Sequence, residues 1–214
     1  MKLKRSIAEV LYRFFQLFYR IFFRIYFRWE VYGLEHVPPE GGAILAVNHS
    51  SALDPPLGGT ALRRKIWYVG RSSLVKNRFI DFIFFAQHLI PITLGRPDVN
   101  ATKKIIKMIT SGEIVLMFPE GTRSYDGTLG PGREGIGMFV SHARADVLPC
   151  YISGSWRALP KGAILPRPRK IRVAYGPLIR YGEFEGVPAG REGFARISGT
   201  IMERIAELKE ALES

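Results

Sequence analysis

A histidine and an aspartate stand five positions apart in this 214-residue chain, directly after an apolar run at 43–47. The imidazole of His49 can take a proton from a hydroxyl group near neutral pH. A carboxylate such as Asp54, if it accepts the other ring N–H, fixes the tautomer and stabilises the imidazolium. The pair therefore predicts a general base. No enzyme nucleophile accompanies it, so direct acyl transfer becomes possible if the substrate's own hydroxyl attacks.

Two other interpretations of this pair stay open at the level of the residues. A histidine with a nearby aspartate is often an ordinary surface hydrogen bond. A metal site is disfavoured, because no third histidine or cysteine stands at ligand spacing and Cys150 is the only cysteine. A single cysteine also disfavours a disulfide framework and fits a reducing compartment.

A second polar segment, 118–124, follows the apolar run Ile114 to Met117 and has the types of residue that bind an anion. Gly121 allows backbone N–H groups to approach an anion closely, and Thr122 adds a hydroxyl donor. Arg123 offers a planar fork that suits phosphate. Glu120 is expected to orient that arginine or to bond a substrate hydroxyl. The alternative is a simple strand-to-loop turn with a surface arginine.

Both segments follow predicted strands, and open α/β sheets bind their ligands at the carboxyl ends of strands. We therefore expect the base and the anion clamp to face one cleft. Alternating apolar runs and helical patterns predict an α/β fold, with a mostly parallel central sheet of about seven strands and helices on both faces. Strands are predicted near 29–34, 43–48, 66–70, 90–94, 113–118, 147–152 and 170–175, and helices near 56–64, 78–88, 98–110, 134–144 and 191–212.

The two polar segments resemble the signature motifs of the glycerolipid acyltransferases. The first has the form Asn48-His49-x-Ser51-x-x-Asp54, and the second is Phe-Pro-Glu-Gly-Thr-Arg-Ser at 118–124. Leu94-Gly95-Arg96 and the apolar segment 147–154 resemble two weaker motifs of the family. The branch with the greatest resemblance is that of the 1-acylglycerol-3-phosphate (lysophosphatidate) acyltransferases. The family usually carries lysine where this chain has Arg71 and Arg133, so the charge is kept.

This resemblance implies transfer of a fatty acyl group to the 2-hydroxyl of 1-acylglycerol 3-phosphate, which gives phosphatidate in phospholipid synthesis. His49, oriented by Asp54, would be the base, with Asn48 and Ser51 supporting the motif. Residues 120–123, together with Arg96 and Arg133, would bind the substrate. Acyl-CoA or acyl carrier protein would be the co-substrate, with no cofactor and no metal.

Other functions remain as alternatives. An enzyme of the same family could use glycerol 3-phosphate, a lysophospholipid or a lyso-aminolipid as acceptor, and a hydrolase could use water. A basic nucleic-acid or membrane-binding module without catalysis would explain the charge alone. Nucleic acid is not expected as a partner, because no recognised binding motif is present. Gly130 to Gly135 matches G-x-G-x-x-G, but no strand directly precedes it and no acidic residue follows at the required distance.

The net charge of +12 points to an anionic partner, namely lipid headgroups, nucleic acid or an acidic carrier protein, and the amino-terminal segment favours a membrane surface. Residues 1–29 form a predicted amphipathic helix, with aromatic and aliphatic residues around a stripe of arginines. Its longest uncharged run, Phe14 to Tyr19, is much shorter than the roughly 18 apolar residues of a membrane-spanning helix. We expect a monotopic or peripheral protein on the cytoplasmic face of the cell membrane, with the acyltransferase domain at 30–214. The alternative is a helix packed on the core.

A second basic region lies near the carboxyl end. No aspartate or glutamate occurs from Val147 through Gly182, and prolines at 160, 166 and 168 stiffen part of this stretch. Its basic residues are Arg157, Lys161, Arg167, Arg169, Lys170, Arg172 and Arg180. The membrane surface, the phosphates of coenzyme A and an acidic carrier protein are all possible partners, as is plain exposure to solvent.

Overall fold

The computed structural model of the chain describes residues 2–74, 82, 85–92 and 98–214. Its helices are α1 (Lys2–Tyr26), α2 (Asp54–Thr60), α3 (Val99–Thr110), α4 (Glu134–Ala143), α5 (Ser155–Ala158) and α6 (Arg191–Glu213). Its strands are β1 (Glu30–Tyr32), β2 (Ala43–Val47), β3 (Ile66–Arg71), β4 (Leu89–Ile92), β5 (Ile114–Met117), β6 (Asp146–Ser153) and β7 (Arg172–Tyr175). Most of the helix predicted near 78–88 lies outside the described residues.

The strands form one sheet in the order β1-β7-β6-β2-β5-β3-β4. Strands β6 and β7 pair antiparallel, and the other neighbours pair parallel. Strands β2 and β5, which carry the two polar segments, lie side by side near the middle, with Ala46 opposite Met117. Parallel pairing brings both segments to the same edge of the sheet. The predicted α/β fold with about seven strands is confirmed.

Apolar cores cover both faces of the sheet, because every residue of β2 is buried and alternate side chains point to opposite faces. On one face, Leu45 packs in a cluster with α1 and α2. On the other, Ile44 packs in a cluster with α3, α4 and α6. The prediction of helices on both faces is therefore confirmed.

Helix α1 is confirmed as a helix, and it divides its surface in a way that the sequence pattern did not predict. One side packs on the domain, where Phe23 of the helix and Phe27 just after it are fully buried in the core. Another side leaves large apolar residues exposed, namely Ile7, Val10, Phe14, Leu17, Phe18, Ile21 and Ile25. Within the described part of the chain, no helix is both long and apolar enough to cross a membrane.

Part of the polar stripe on α1 fastens the helix to the domain. The Arg20 guanidinium donates to the carbonyl oxygens of Thr60 at 2.9 Å and Leu62 at 3.0 Å, which lie at the end of α2. Glu9 pairs with Lys65 at 2.8 Å. These two side chains of the stripe therefore contact the protein. The division between 1–29 and 30–214 stays a prediction.

Candidate active site

The imidazole of His49 meets the carboxylate of Asp54 at the carboxyl end of β2. His49 Nδ1 lies 3.0 Å from Asp54 Oδ2. The Asp54 side chain is fully buried, whereas that of His49 retains 17% exposure. Because a carboxylate oxygen accepts, the ring proton resides on Nδ1 and the lone pair on Nε2. The geometry thus leaves Nε2 as the nitrogen that can take a proton from a ligand.

A tight turn brings the two side chains together. Asp54 Oδ2 also accepts the backbone N–H groups of Ser50 at 2.7 Å and Ser51 at 2.6 Å. Asp54 is the first residue of α2, and the two prolines after it suit the first turn of a helix, where backbone N–H groups have no partner within the helix. The carboxylate therefore closes the turn as well as contacting the imidazole.

The residues that support the first motif fasten this turn to β6 and the segment after it. The Asn48 side chain donates to Ile152 O at 3.1 Å and accepts from Ile152 N at 2.7 Å. The Ser51 hydroxyl donates to Leu159 O at 2.8 Å. Each contact joins residues about 100 positions apart in the chain. They hold the backbone on either side of His49 in place.

An aromatic ring holds the imidazole in a fixed plane. The ring of Phe118 stacks on that of His49, with centroids 3.7 Å apart and planes inclined by 15°. Such a contact shields one face of the imidazole from water and limits its rotation. Phe118 belongs to the second motif, but the motif itself gave no sign of this role. The register of β2 and β5 determines it, and that register is a tertiary property.

The carboxylate of Glu120 has other partners than those we expected from the sequence. Its Oε1 accepts the backbone N–H of His49 at 2.8 Å, and its Oε2 accepts that of Gly130 at 3.2 Å. The residue is buried, and this burial raises the pKa of the carboxyl group, with a smaller contribution from Asp54. Instead of orienting Arg123, Glu120 joins the base to the loop that follows the second motif.

These contacts predict a specific effect for Glu120→Gln. The amide keeps one acceptor and turns its NH2 group toward the other backbone N–H, so one buried donor loses its partner. We expect kcat to fall about tenfold, as one charge-assisted hydrogen bond is lost, with the acceptor KM changed by less than about twofold. Steady-state kinetics with varied acceptor check this. A large rise in KM with kcat unchanged would instead indicate a contact between Glu120 and the substrate.

The same substitution predicts a pH effect on stability. Burial raises the Glu120 pKa above its unfolded value, so the ionised carboxylate costs folding free energy at neutral pH. That cost is relieved as the pH falls through the folded pKa. Glutamine does not titrate, so the variant should lack this pH dependence. The Tm of the wild type relative to that of Glu120→Gln should therefore rise as the pH falls through the folded pKa of Glu120.

The second polar segment, 118–124, lies directly against the backbone of the histidine. Ser124 N donates to His49 O at 2.8 Å, so the residue that follows Arg123 contacts the backbone of the histidine. Gly121 has a φ of 66°, and a Cβ there would lie 2.9 Å from Arg133 Cδ, so the arginine side chain crosses over this glycine. The Arg123 guanidinium has no protein partner among the described residues and remains available to a ligand.

The structure therefore brings together most of the residues that the sequence singled out. His49, Asp54, the segment 120–123 and Arg133 surround one edge of the sheet, with Thr122 partly buried beside Arg123. Arg96 lies outside the described residues, so its place in the site stays a prediction. The arrangement combines a rigidly held imidazole with the half-buried Arg123 and the exposed Arg133. Such a site suits removal of a proton from a hydroxyl that carries a nearby phosphate.

The known proteins that this chain resembles are acyltransferases. Residues 28–153 match the Acyltransferase family model. The 1-acyl-sn-glycerol-3-phosphate acyltransferase of Bacillus subtilis is 27% identical over 86% of this chain and 89% of its own. The protein of the same name from Pseudomonas aeruginosa is 30% identical over 85% of this chain and 70% of its own. That from Limnanthes alba is 30% identical over 70% of this chain and 54% of its own.

A solved structure shows the same fold. The crystal structure of the 1-acyl-sn-glycerophosphate (LPA) acyltransferase PlsC from Thermotoga maritima has a TM-score of 0.74 at 22% identity. The match covers 97% of this chain and 82% of that one. Fold and family match together define an α/β acyltransferase. The chain belongs to the Acyltransferase family.

Proposed function

We propose that the protein is a 1-acylglycerol-3-phosphate acyltransferase, which moves a fatty acyl group from a thioester to the 2-hydroxyl of lysophosphatidate. The observation that carries this proposal is the 3.0 Å contact between His49 and Asp54, beside a loop with an available guanidinium. The names of the Bacillus subtilis and Pseudomonas aeruginosa relatives support the choice of acceptor.

The reaction needs one proton acceptor and no enzyme nucleophile. His49 Nε2 removes the proton of the 2-hydroxyl, and the hydroxyl oxygen attacks the carbonyl carbon of the thioester. The tetrahedral intermediate collapses with cleavage of the carbon–sulfur bond. The imidazolium returns its proton to the departing thiolate, which leaves as the free thiol. Asp54 stabilises the imidazolium while the proton resides on it.

The second motif would bind the phosphate of the acceptor. Arg123 supplies a planar fork for phosphate oxygens, and Gly121 keeps the backbone open to an anion. The Arg133 side chain, which crosses Gly121, adds a second positive charge. Arg96 is proposed as a further contact on the basis of its motif alone.

The phosphate contact predicts the effect of Arg123→Ala. Loss of a charge-assisted contact that is equal in ground and transition states should raise the acceptor KM about 10- to 100-fold with little change in kcat. Arg144→Ala, which removes an exposed arginine near Tyr181, is the matched control and should keep the KM unchanged. An unchanged KM in Arg123→Ala would count against a phosphate contact.

Product identification with purified protein tests the proposed reaction. Lysophosphatidate is offered with acyl-CoA and with acyl carrier protein in separate reactions, and phosphatidate is the expected product. Three other acceptors are offered in parallel: glycerol 3-phosphate, a lysophospholipid and a lyso-aminolipid. Preference for one of them would identify a different acceptor for the same acyl-transfer reaction. Release of free fatty acid without any acceptor would indicate a hydrolase.

The acceptor is a membrane lipid, and we propose that the enzyme works as a monotopic or peripheral protein on the cytoplasmic face of the membrane. The exposed apolar side of α1 and the net charge of +12 support an anionic bilayer as its partner. The packed side of α1 fixes the helix on the domain, so lipid contacts along the helix would also orient the active site.

A further inference from the structure

The loop between α5 and β7 projects two large aliphatic side chains into water. Ile164 is 90% exposed and Leu165 is 79% exposed, the highest values among the large apolar side chains that the structure describes. Adjacent exposed aliphatic residues at the end of a loop are costly in water unless a partner covers them. Core packing therefore does not explain why Ile164 and Leu165, the tip of the loop, are aliphatic.

This loop is a defined structure. The backbone N–H of Arg167 donates to Ala158 O at 2.7 Å, which closes the loop at its base. A second bond, from Ala163 N to Pro160 O at 3.1 Å, forms a turn just before the tip. Pro160 and Pro166 restrict the backbone on both sides. The tip is consequently presented in a fixed direction.

Two contacts connect the loop to the helix and to the catalytic turn. The Tyr26 hydroxyl donates to Pro166 O at 2.8 Å, at the end of α1. Ile25, the residue before it, is 75% exposed and ends the apolar side of that helix. At the base of the loop, Leu159 O accepts the hydroxyl of Ser51, two residues after His49. Hydrogen bonds thus connect the loop both to the end of α1 and to the turn that carries His49.

The charges around the tip indicate which kind of partner it contacts. Lys161, Arg167 and Arg169 flank it, and the whole stretch from 147 to 182 has no acidic residue. Arg167 and Arg169 are exposed. An apolar tip with flanking cations fits an anionic bilayer, where aliphatic side chains enter the acyl region and guanidinium groups meet lipid phosphates. The free phosphates of coenzyme A would leave the aliphatic residues uncovered. Continuity with α1 favours a lipid surface over a carrier protein.

We infer that the loop 159–170 is a second lipid-contact site, in which Ile164 and Leu165 insert into an anionic bilayer. This inference rests on the proposed membrane function and adds a second point of attachment to that of α1. Two separate contacts fix the orientation of a protein at a surface better than one, because rotation about the helix axis is then restricted. They would hold the His49 turn at a constant angle to the membrane from which the acceptor comes.

A fluorescent label at the tip tests insertion directly. Cys150 is fully buried, and this burial raises the pKa of its thiol, so a maleimide will react with an introduced exposed cysteine alone. Leu165→Cys carrying an environment-sensitive dye is mixed with vesicles of equal parts phosphatidylglycerol and phosphatidylcholine. We expect a blue shift and quenching by spin labels on the lipid acyl chains, both weaker with phosphatidylcholine alone.

Val99→Cys provides the matched control. Val99 is also an exposed apolar residue, but it begins α3 on the opposite face of the sheet from α1. Its label should show neither shift nor quenching. If the protein binds the vesicles but the label at Leu165 shows neither a blue shift nor quenching, the inference is wrong. A shift produced only by an acidic acyl carrier protein would assign the loop to the acyl donor instead.

The double variant Ile164→Ser/Leu165→Ser tests the consequence for catalysis. We expect partition onto the anionic vesicles and turnover of lysophosphatidate embedded in them to fall about tenfold, from the lost apolar contact. Turnover of a short-chain, water-soluble lysophosphatidate should be unchanged. An equal loss on both substrates would indicate a structural role and refute the inference. Insertion of the label without any acyl transfer by the wild type would refute the proposed function and leave the lipid contact intact.

Discussion

Replacing His49 with alanine is expected to lower kcat by about 10²- to 10⁴-fold, the range that a positioned general base contributes. The reason is geometric, since Nε2 is the basic atom that the turn leaves available to a ligand while Nδ1 contacts Asp54. Binding of the acceptor should persist, because the proposed phosphate contacts lie on the loop that follows β5. Initial rates with saturating substrates, together with equilibrium binding of lysophosphatidate, provide the measurement.

His142→Ala is the matched control for this experiment. His142 is exposed on α4 and its Nδ1 contacts Met138 O within the same helix, so its loss removes an imidazole without touching the site. Its kcat should equal that of the wild type. Thermal unfolding of both variants separates a catalytic effect from an unfolded sample. Activity of His49→Ala close to that of the wild type would refute the assignment of the base.

Much of the fold follows from local pattern. The run at 43–47 is continuously apolar, and such runs are typical of strands buried on both faces, as β2 is. The motif residues stand directly after two such runs, so their place at the carboxyl ends of strands could be predicted. The sequence could not give the order of the strands. That β2 and β5 are neighbours depends on connections across the whole sheet.

The parts of the site that sequence reasoning missed are those that depend on this order. Phe118 stacks on His49 because the ends of β2 and β5 are adjacent and in a particular register. Glu120 turns inward because two backbone N–H groups, from His49 and Gly130, converge on it. Side-chain type alone suggested an interaction with Arg123. Partners that lie far apart along the chain leave no local pattern.

For helix α1, the sequence could not show which side packs on the domain. Its sequence predicted one wide apolar side and one stripe of arginines. In the structure a part of the apolar side, with Phe23, is buried on the domain, and Arg20 bonds to the end of α2. A helical pattern gives the angular position of each residue but does not say which angle meets the rest of the protein. The exposed side, Ile7 to Ile25, could only be identified once the packed side was known.

The contacts of Asp54 predict that its two simplest substitutions will differ in both activity and stability. Three N–H groups, from His49, Ser50 and Ser51, converge on Oδ2. In Asp54→Asn, the amide can place its carbonyl oxygen at this position and keep all three bonds. Its NH2 group then takes the position of Oδ1, which has no partner among the described residues. The imidazole keeps its tautomer and loses only the charge that stabilises its protonated form.

We therefore expect Asp54→Asn to lower kcat by roughly 10- to 100-fold, from the loss of electrostatic stabilisation alone. Asp54→Ala removes the acceptor from all three donors. Two buried backbone N–H groups are then left unpaired, at about 1–3 kcal/mol each, and the imidazole is free to turn. Its kcat should approach that of His49→Ala, with a clearly lower Tm. Rates and thermal unfolding of the two variants, measured together, provide the comparison.

The relative activities of Asp54→Asn and Asp54→Ala separate the two functions of this carboxylate, which closes the turn and stabilises the imidazolium. If Asp54 acted only as a structural acceptor, Asp54→Asn would retain full activity, because the turn would be intact. If the charge were the whole of its contribution, the asparagine and alanine variants would lose the same activity. The geometry requires a result between these limits, since one oxygen both closes the turn and faces the imidazole. A loss in Asp54→Asn as large as that in His49→Ala would mean that the amide reverses and forces the wrong tautomer, which the two serine N–H groups should prevent.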